Sequence, residues 1–265
     1  MEAKKVLFIT QEMTPYVPRT EISRWGRNIP QVTQTSGSEI RIFMPCWGVI
    51  NIRRNQLHEV IRLSGMNIII NNSDHPLIIK VASVPATRMH VYFIDNDDYF
   101  HSKTMMHDAA GKYLPENMER AIFYARGVME TIKKSGWYPD VICCQGWISA
   151  ICPLFIKTAY RNEPPFMNTK VVFTGFDDLP FVPKMEEYRD CLPFKDANLE
   201  NIAEKGIDLE SKLSLAELAI AYSDGFIEGS AGISKDIKEL VSKHGLKNLR
   251  FTEDANKIND FLMKF

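Results

Sequence analysis

The residues whose types could do chemistry stand just beyond the ends of apolar runs. Glu12, Arg19, Thr20, Glu21 and Arg24 follow the run Val6 to Thr10, and Gln145, Gly146 and Trp147 follow Val141 to Cys144. In an open parallel sheet, ligands bind where strand ends hand over to helices, so such corners decide what a domain can do. Arg19 and Arg24 could meet a phosphate, or serve only as solvated surface charges. Trp147 could stack on a sugar ring or plug the core, and Gln145 beside it is a neutral hydrogen-bonding group. That second corner holds no acid, no base and no charged electrophile.

Other chemistry is weakly represented. Asp95-Asn96-Asp97-Asp98 follows the run His90 to Ile94, and a D-x-D at a strand end can hold a divalent metal against a diphosphate or form a solvated turn. No glycine precedes Gly26, so the glycine-rich phosphate cradle of dinucleotide and P-loop proteins is absent after the first run. Side chains at Thr20 and Glu21 would keep backbone amides from a pyrophosphate, and the Glu21 carboxylate would repel it. His58, His75, His90, His101, His107 and His244 lack ligand spacing, which assigns each a structural role. The five cysteines include no C-x-x-C pair and read as free thiols, with Cys143 and Cys144 as small buried hydrophobes.

The elements that must position these residues are those of a globular α/β protein. The chain has 265 residues, 45% of them hydrophobic, enough for a sizeable core. Lys and Arg total 32 against 33 Asp and Glu, so a net charge of −1 gives no field for capturing nucleic acid or an anionic membrane. No run of about 18 apolar residues appears, and Met1 to Lys5 leads straight into Val6-Leu7-Phe8-Ile9 rather than into a signal-peptide core, which sets a cytoplasmic location as the expectation.

Further strand-length runs are Ile40 to Met44, Leu77 to Val84, Val171 to Thr174 and Gly225 to Glu228. After Pro115, Met118, Ala121, Ile122, Ala125, Val128, Met129 and Ile132 recur at three and four residues, the period of an amphipathic helix. Glu116 and Glu119 sit at its start and Lys133 and Lys134 at its end, complementing the helix dipole. Leu213 to Tyr222, Ser234 to His244 and Glu253 to Phe265 read as further helices. The alternation predicts a Rossmann-like parallel sheet with helices on both faces, in one domain over residues 1–265. A small antiparallel insertion is predicted around residues 56–84, and Leu179 to Pro193, with three prolines, as an irregular loop that either moves as a lid or stays ordered.

Several segments in one order resemble the N-terminal catalytic domain of bacterial glycogen synthases and plant starch synthases. Val6 to Ile9 with Glu12 and Pro15 is similar to the family's opening strand and S-E-x-x-P turn. Ile40 to Pro45 resembles its R-x-x-x-P strand. Val91 to Asn96 with Tyr99-Phe100 is similar to Y-x-I-D-N-x-x-Y-F, and Arg120-Ala121 with Phe123 to the arginine-led start of the family's following helix. Pro139-Asp140-Val141 with Trp147 and Ala150 resembles P-D-V-V-H-x-H-D-W-H-x-A, Lys170 to Thr174 the strand before I-H-N, and Ala221 to Ser230 the segment Y-A-D-x-V-x-x-V-S.

The resemblance implies half of a two-domain GT-B glycosyltransferase, which transfers glucose from ADP-glucose or UDP-glucose to an α-1,4-glucan with retention. It also implies that the working side chains have changed. The family's K-x-G-G-L lysine falls on Pro18, its two glycines on Thr20 and Glu21, and the following aspartate on Arg24. The two histidines before the tryptophan fall on Cys143 and Gln145, the aspartate on Gly146 and the later histidine on Ile148. The I-H-N corner reads Gly175-Phe176-Asp177, while Glu12, Trp147 and Ser230 are kept. The family's C-terminal domain is expected to have no counterpart here.

The candidate ligand-site residues are therefore Glu12, Arg19, Thr20, Glu21, Arg24, Gln145, Gly146, Trp147, Phe176 and Asp177, with no cofactor and no metal expected. The first expectation is a non-catalytic binding or regulatory protein of glucan metabolism. Its expected partners are an α-glucan or maltooligosaccharide, a nucleotide-sugar, or a protein supplying a second GT-B domain, with neither nucleic acid nor membrane among them. The alternatives are a glucosyltransferase completed by such a separate C-terminal domain, and a metal-using sugar-nucleotide enzyme built on Asp95 to Asp98.

Overall fold

In the computed structural model of the chain, the residues described are 3–101, 104–108, 110–177 and 182–265. Ten strands and eight α-helices follow in chain order among them. They are β1 (Lys5–Thr10), α1 (Glu21–Thr35), β2 (Glu39–Pro45), β3 (His58–Glu59), β4 (Met66–Ile70), β5 (Ser73–Ser83), β6 (His90–Asp95), α2 (Asn117–Ser135), β7 (Val141–Gln145), α3 (Cys152–Lys157), β8 (Lys170–Gly175), α4 (Met185–Cys191), α5 (Leu199–Glu204), α6 (Ser214–Ala221), β9 (Gly225–Glu228), α7 (Lys235–Lys243), β10 (Lys247–Leu249) and α8 (Ala255–Leu262).

The sheet order is β10-β9-β8-β7-β1-β2-β6-β5-β3, with β4 paired to β5 beside this path. Every pairing from β10 to β6 is parallel, and the pairings of β5 with β6, β3 and β4 are antiparallel. The predicted parallel sheet and antiparallel insertion are both present. β1 lies at the centre with Val6, Leu7 and Ile9 fully buried, which is why its sequence is continuously apolar rather than alternating. The periodic residues of α2, from Met118 to Ile132, are likewise fully buried.

Two sequence expectations are corrected. The strand expected from Leu77 to Val84 begins four residues earlier, at Ser73, because Ser73 to Pro76 pair with β4. The chain beyond β7 enters a single 3₁₀ turn, Trp147–Ser149, before α3, so the second corner joins a strand to a helical segment. The segment Leu179 to Pro193 is not irregular throughout, since α4 lies inside it. Residues 179–181 of that segment lie outside the described residues, and with them the question of a lid. No helix among the described residues is long and apolar enough to cross a membrane.

Candidate functional site

Register places the corners side by side. Thr10 pairs with Gln145 at the ends of β1 and β7, and Gln145 pairs with Thr174 near the end of β8. Immediately beyond β1, the Gln11 N–H donates to the Gln145 carbonyl at 3.1 Å. The Trp47 indole N–H donates to the Gln11 carbonyl at 2.7 Å, and the Tyr124 hydroxyl lies 3.0 Å from the Thr10 carbonyl and 2.8 Å from that of Phe43. The backbone leaving β1 is thus pinned from several sides.

Glu12 is 6% exposed, and both of its carboxylate oxygens are engaged. The Gln11 amide donates to Oε1 at 3.0 Å, and the Thr20 hydroxyl donates to Oε2 at 2.6 Å. A hydrogen bond to an ionised acceptor is stronger than one between neutral groups, so this acid is committed to holding the corner. Thr20 is also the N-cap of α1. Its hydroxyl accepts from the Ser23 N–H at 2.9 Å, while its own N–H donates to Ser23 Oγ at 2.8 Å, a reciprocal cap that satisfies donors the helix start would otherwise leave open.

Gly26 explains how tightly α1 seats against these loops. A Cβ there would lie 2.1 Å from the Glu12 carbonyl and 2.8 Å from Thr10 Oγ1. The second corner is stitched to the same helix, because the Gln145 side-chain amide donates to the Ile22 carbonyl at 2.8 Å. Gly146 adopts φ +80°, and a Cβ there would strike Gln11 Oε1 at 2.4 Å, so Gln11 occupies space that only glycine leaves open. Trp147 is fully buried, which makes it a core side chain beneath the corner and not an aromatic face presented to solvent.

At the third corner Phe176 is 2% exposed, packed edge-on against Trp25 at 6.3 Å and against Gly229. The Asp177 N–H donates to Ser230 Oγ at 3.2 Å, while Asp177 itself is exposed. Arg19, Thr20, Glu21 and Arg24 are exposed along the start of α1, with Arg24 Nε donating to the Thr20 carbonyl at 3.4 Å. The predicted site residues therefore converge on one region of the sheet's C-terminal edge. They divide into an inward group, Glu12, Gln145, Gly146, Trp147 and Phe176, and an outward group, Arg19, Thr20, Glu21, Arg24 and Asp177.

The remaining chemical candidates are absorbed by the fold. Asp95 is buried and forms an ion pair with Lys80, which corrects the expectation of a solvated turn at that one residue, while Asp97 and Asp98 are exposed as a solvated turn requires. Burial pulls the Lys80 ammonium down, but the hydrogen bond and charge of Asp95 outweigh it and hold it above its ordinary value. Asn96 Oδ1 accepts from the N–H groups of Asp98 and Tyr99, shaping the turn from within. Among the described residues, no three His, Cys, Asp or Glu side chains are placed to hold a metal ion. All five cysteines are buried and free, and burial pushes the Cys143 thiol up to about 12, the opposite of what a nucleophile needs.

Sequence reasoning missed Gln11 as a member of the site, although it is the first polar side chain after β1. It also missed a cleft of about 240 Å³ at the sheet edge, between one face of α1 and the segment from Phe251 to Ile258. The signal for its α1 wall was Glu21, Arg24, Trp25 and Asn28, which recur at helical spacing on one face.

A family model described as the starch synthase catalytic domain matches residues 5–250. The glycogen synthase of Chlorobaculum parvum is 31% identical over 273 residues, covering 98% of this chain and 56% of that protein. That of Chlorobium luteolum is 36% identical over 171 residues, covering 64% of this chain and 35% of that protein. The chain thus spans about half or less of the length of these relatives. Among solved structures, the catalytic domain of starch synthase IV from Arabidopsis thaliana, bound to ADP and acarbose, superimposes with a TM-score of 0.71 at 15% identity, covering 94% of this chain and 51% of that one. That likeness establishes the shared fold.

Proposed function

The chain belongs to the starch synthase catalytic domain family, and from that premise we propose that it is a non-catalytic member that binds α-1,4-glucan chains without transferring glucose. The observation that carries this reading is the closure of the first two corners on themselves. Glu12 spends its carboxylate on Gln11 and Thr20, and Gln145 spends its amide on the first turn of α1.

Glycosyl transfer from a nucleotide sugar requires stabilisation of negative charge developing on the diphosphate leaving group. Pro18, at the position of the family's lysine, has neither a charge nor an N–H to offer. Thr20 and Glu21 put side chains where the family has glycines, and the Glu21 carboxylate opposes a diphosphate. At the positions of three family histidines stand Cys143, Gln145 and Phe176. The first is a buried, un-ionised thiol, the second a neutral amide, and the third an enclosed hydrocarbon ring. None can exchange a proton near neutral pH as histidine does.

The scaffold that seats these positions is intact, with a closely packed core and a sheet edge still open to solvent at Arg19, Arg24 and Asp177. That combination supports a binding role more than an enzymatic one. The test pairs calorimetry on maltooligosaccharides with an assay of labelled-glucose incorporation into glycogen, run alone and with a separately supplied C-terminal domain from a family relative. Binding without incorporation is the expected result. Incorporation under either condition refutes the reading, and so does the absence of glucan binding.

A further inference from the structure

We infer that the chain pairs with a second copy of itself through a groove at the outer edge of the antiparallel insertion, in a two-fold arrangement that seats Ile61 of each copy in the groove of the other. The groove, of about 560 Å³, lies where β3, β5 and β6 run side by side, and β3 ends the sheet order. His90, which lines it, is the first residue of β6, whereas the corners of the candidate site follow the last residues of β1, β7 and β8. The groove therefore stands at the opposite edge of the sheet from those corners and leaves them uncovered.

Its floor is built before any partner arrives. His58, Val81 and Tyr92 are in register across β3, β5 and β6, and residues directly opposite one another share a face. Tyr92 is also in register with Phe43 and stacks on it with ring centres 5.2 Å apart, which holds the phenol ring flat. In the next row Ser83 Oγ lies 3.1 Å from His90 Nδ1. A floor fixed in this way loses little side-chain freedom on association.

The wall is the chain leaving β3. There Ile61 is 83% exposed, more than any other large hydrophobic side chain among the described residues. One patch thus carries both a projecting apolar side chain and a hollow beside it. That is what an isologous contact requires, because across a two-fold axis residue i of one copy meets residue j of the other and j meets i.

Charge supplies the second half of the match. Glu59 and Arg62 stand on either side of Ile61 in sequence, both line the groove, both are exposed, and neither is in an ion pair among the described residues. Arg62 has a like charge for a neighbour instead. Burial lowers the pKa of Arg41, and the charge of Arg62 lowers it further, so the ground beside Arg62 is positive and favours an incoming carboxylate. A two-fold axis beside Ile61 brings Glu59 of each copy to Arg62 of the other. Any other partner would have to present a knob, a hollow, an acid and a base in matching order, and this patch presents all four. The net charge of −1 leaves little repulsion between copies.

The experiment is sedimentation velocity on the wild-type chain and on Ile61→Asp, Glu59→Arg, Arg62→Glu and the double variant Glu59→Arg/Arg62→Glu, from about 1 to 100 μM, a range that brackets a micromolar Kd. All three positions are exposed, and thermal melts verify folding. The wild type should pass from the 30.4 kDa monomer to twice that mass as concentration rises. Each single variant should dimerise at least about ten-fold more weakly, as central interface residues do. The double variant should recover because the exchanged charges again meet opposite partners across the axis. A wild type that stays monomeric throughout overturns the inference. So does a dimer that Ile61→Asp leaves unchanged, and so does a double variant no tighter than the two charge reversals alone.

Discussion

The Thr20 hydroxyl donates a 2.6 Å hydrogen bond to Glu12 Oε2 across eight residues of sequence, while its oxygen accepts from the Ser23 N–H that opens α1. One side chain therefore caps the helix and satisfies one oxygen of a buried acid. At the position where the family's motif has a glycine, this chain has a structural clasp.

Thr20→Val should remove both functions of the clasp. Loss of the cap and of one partner of the buried Glu12 carboxylate should cost about 1–3 kcal/mol. Thr20→Ser should retain most of the stability because it keeps the hydroxyl. Urea denaturation of the two variants measures the difference.

Gly26→Ala tests how closely α1 approaches the first corner. The added carbon would meet the backbone carbonyl of Glu12 at 2.1 Å, and a carbonyl fixed between β1 and α1 has little room to retreat. Destabilisation of about 1–3 kcal/mol is expected from this overpacking, against the small gain that alanine normally brings within a helix. A lowered denaturation midpoint with an unchanged m-value checks it.

Much of this architecture was legible in the sequence because burial leaves a pattern. Val6 to Thr10 and Val141 to Cys144 are unbroken apolar runs because their strands are covered on both faces, and α2 shows its period because one stripe faces the sheet. The corners were legible by position, since each begins where such a run stops. Less could be read where stability comes from partners distant in sequence. β10 is only Lys247-Asn248-Leu249 and exists through its pairing with β9. The helix α4 sits between Pro183 and Pro193, which bound it rather than break it, so a count of prolines over the segment misreads it. Whether Trp147 faced solvent or core could not be decided from a glycine–tryptophan pair, because the turn at Gly146 sets the direction of the side chain.

Arg120 should be irreplaceable by lysine. Its guanidinium is fully buried and donates to the carbonyls of Tyr99, Thr104 and Met105 and to Asn117 Oδ1, and it lies over the rings of Trp47 and Phe100. Burial lowers its pKa to about 10, yet it stays charged at neutral pH. A lysine cannot reproduce this planar fork, and either Arg120→Lys or Arg120→Met should cost about 3–5 kcal/mol by leaving buried acceptors unpaired. Thermal and chemical denaturation of both variants provide the measurement.

The buried thiols set an alkaline limit on stability. Burial raises Cys143 from 9.0 to about 12, and burial followed by the Asp95 charge does the same for Cys46. Below pH 9 both states keep these protons and the full stability is present. Between about 9 and 12 the unfolded chain releases protons that the folded chain retains, so stability falls as pH rises through that window. Cys143→Ala should flatten the fall. At pH 8, a thiol reagent should react slowly with the native chain and rapidly with all five cysteines after denaturation.

Incorporation of labelled glucose from ADP-glucose or UDP-glucose into glycogen tests the central claim most directly, using the wild-type chain at a concentration where maltooligosaccharide binding has been measured. The closed corners predict glucan binding with incorporation at the level of a no-protein control. Incorporation above that control, abolished by Glu12→Ala in a variant that remains folded, would contradict it.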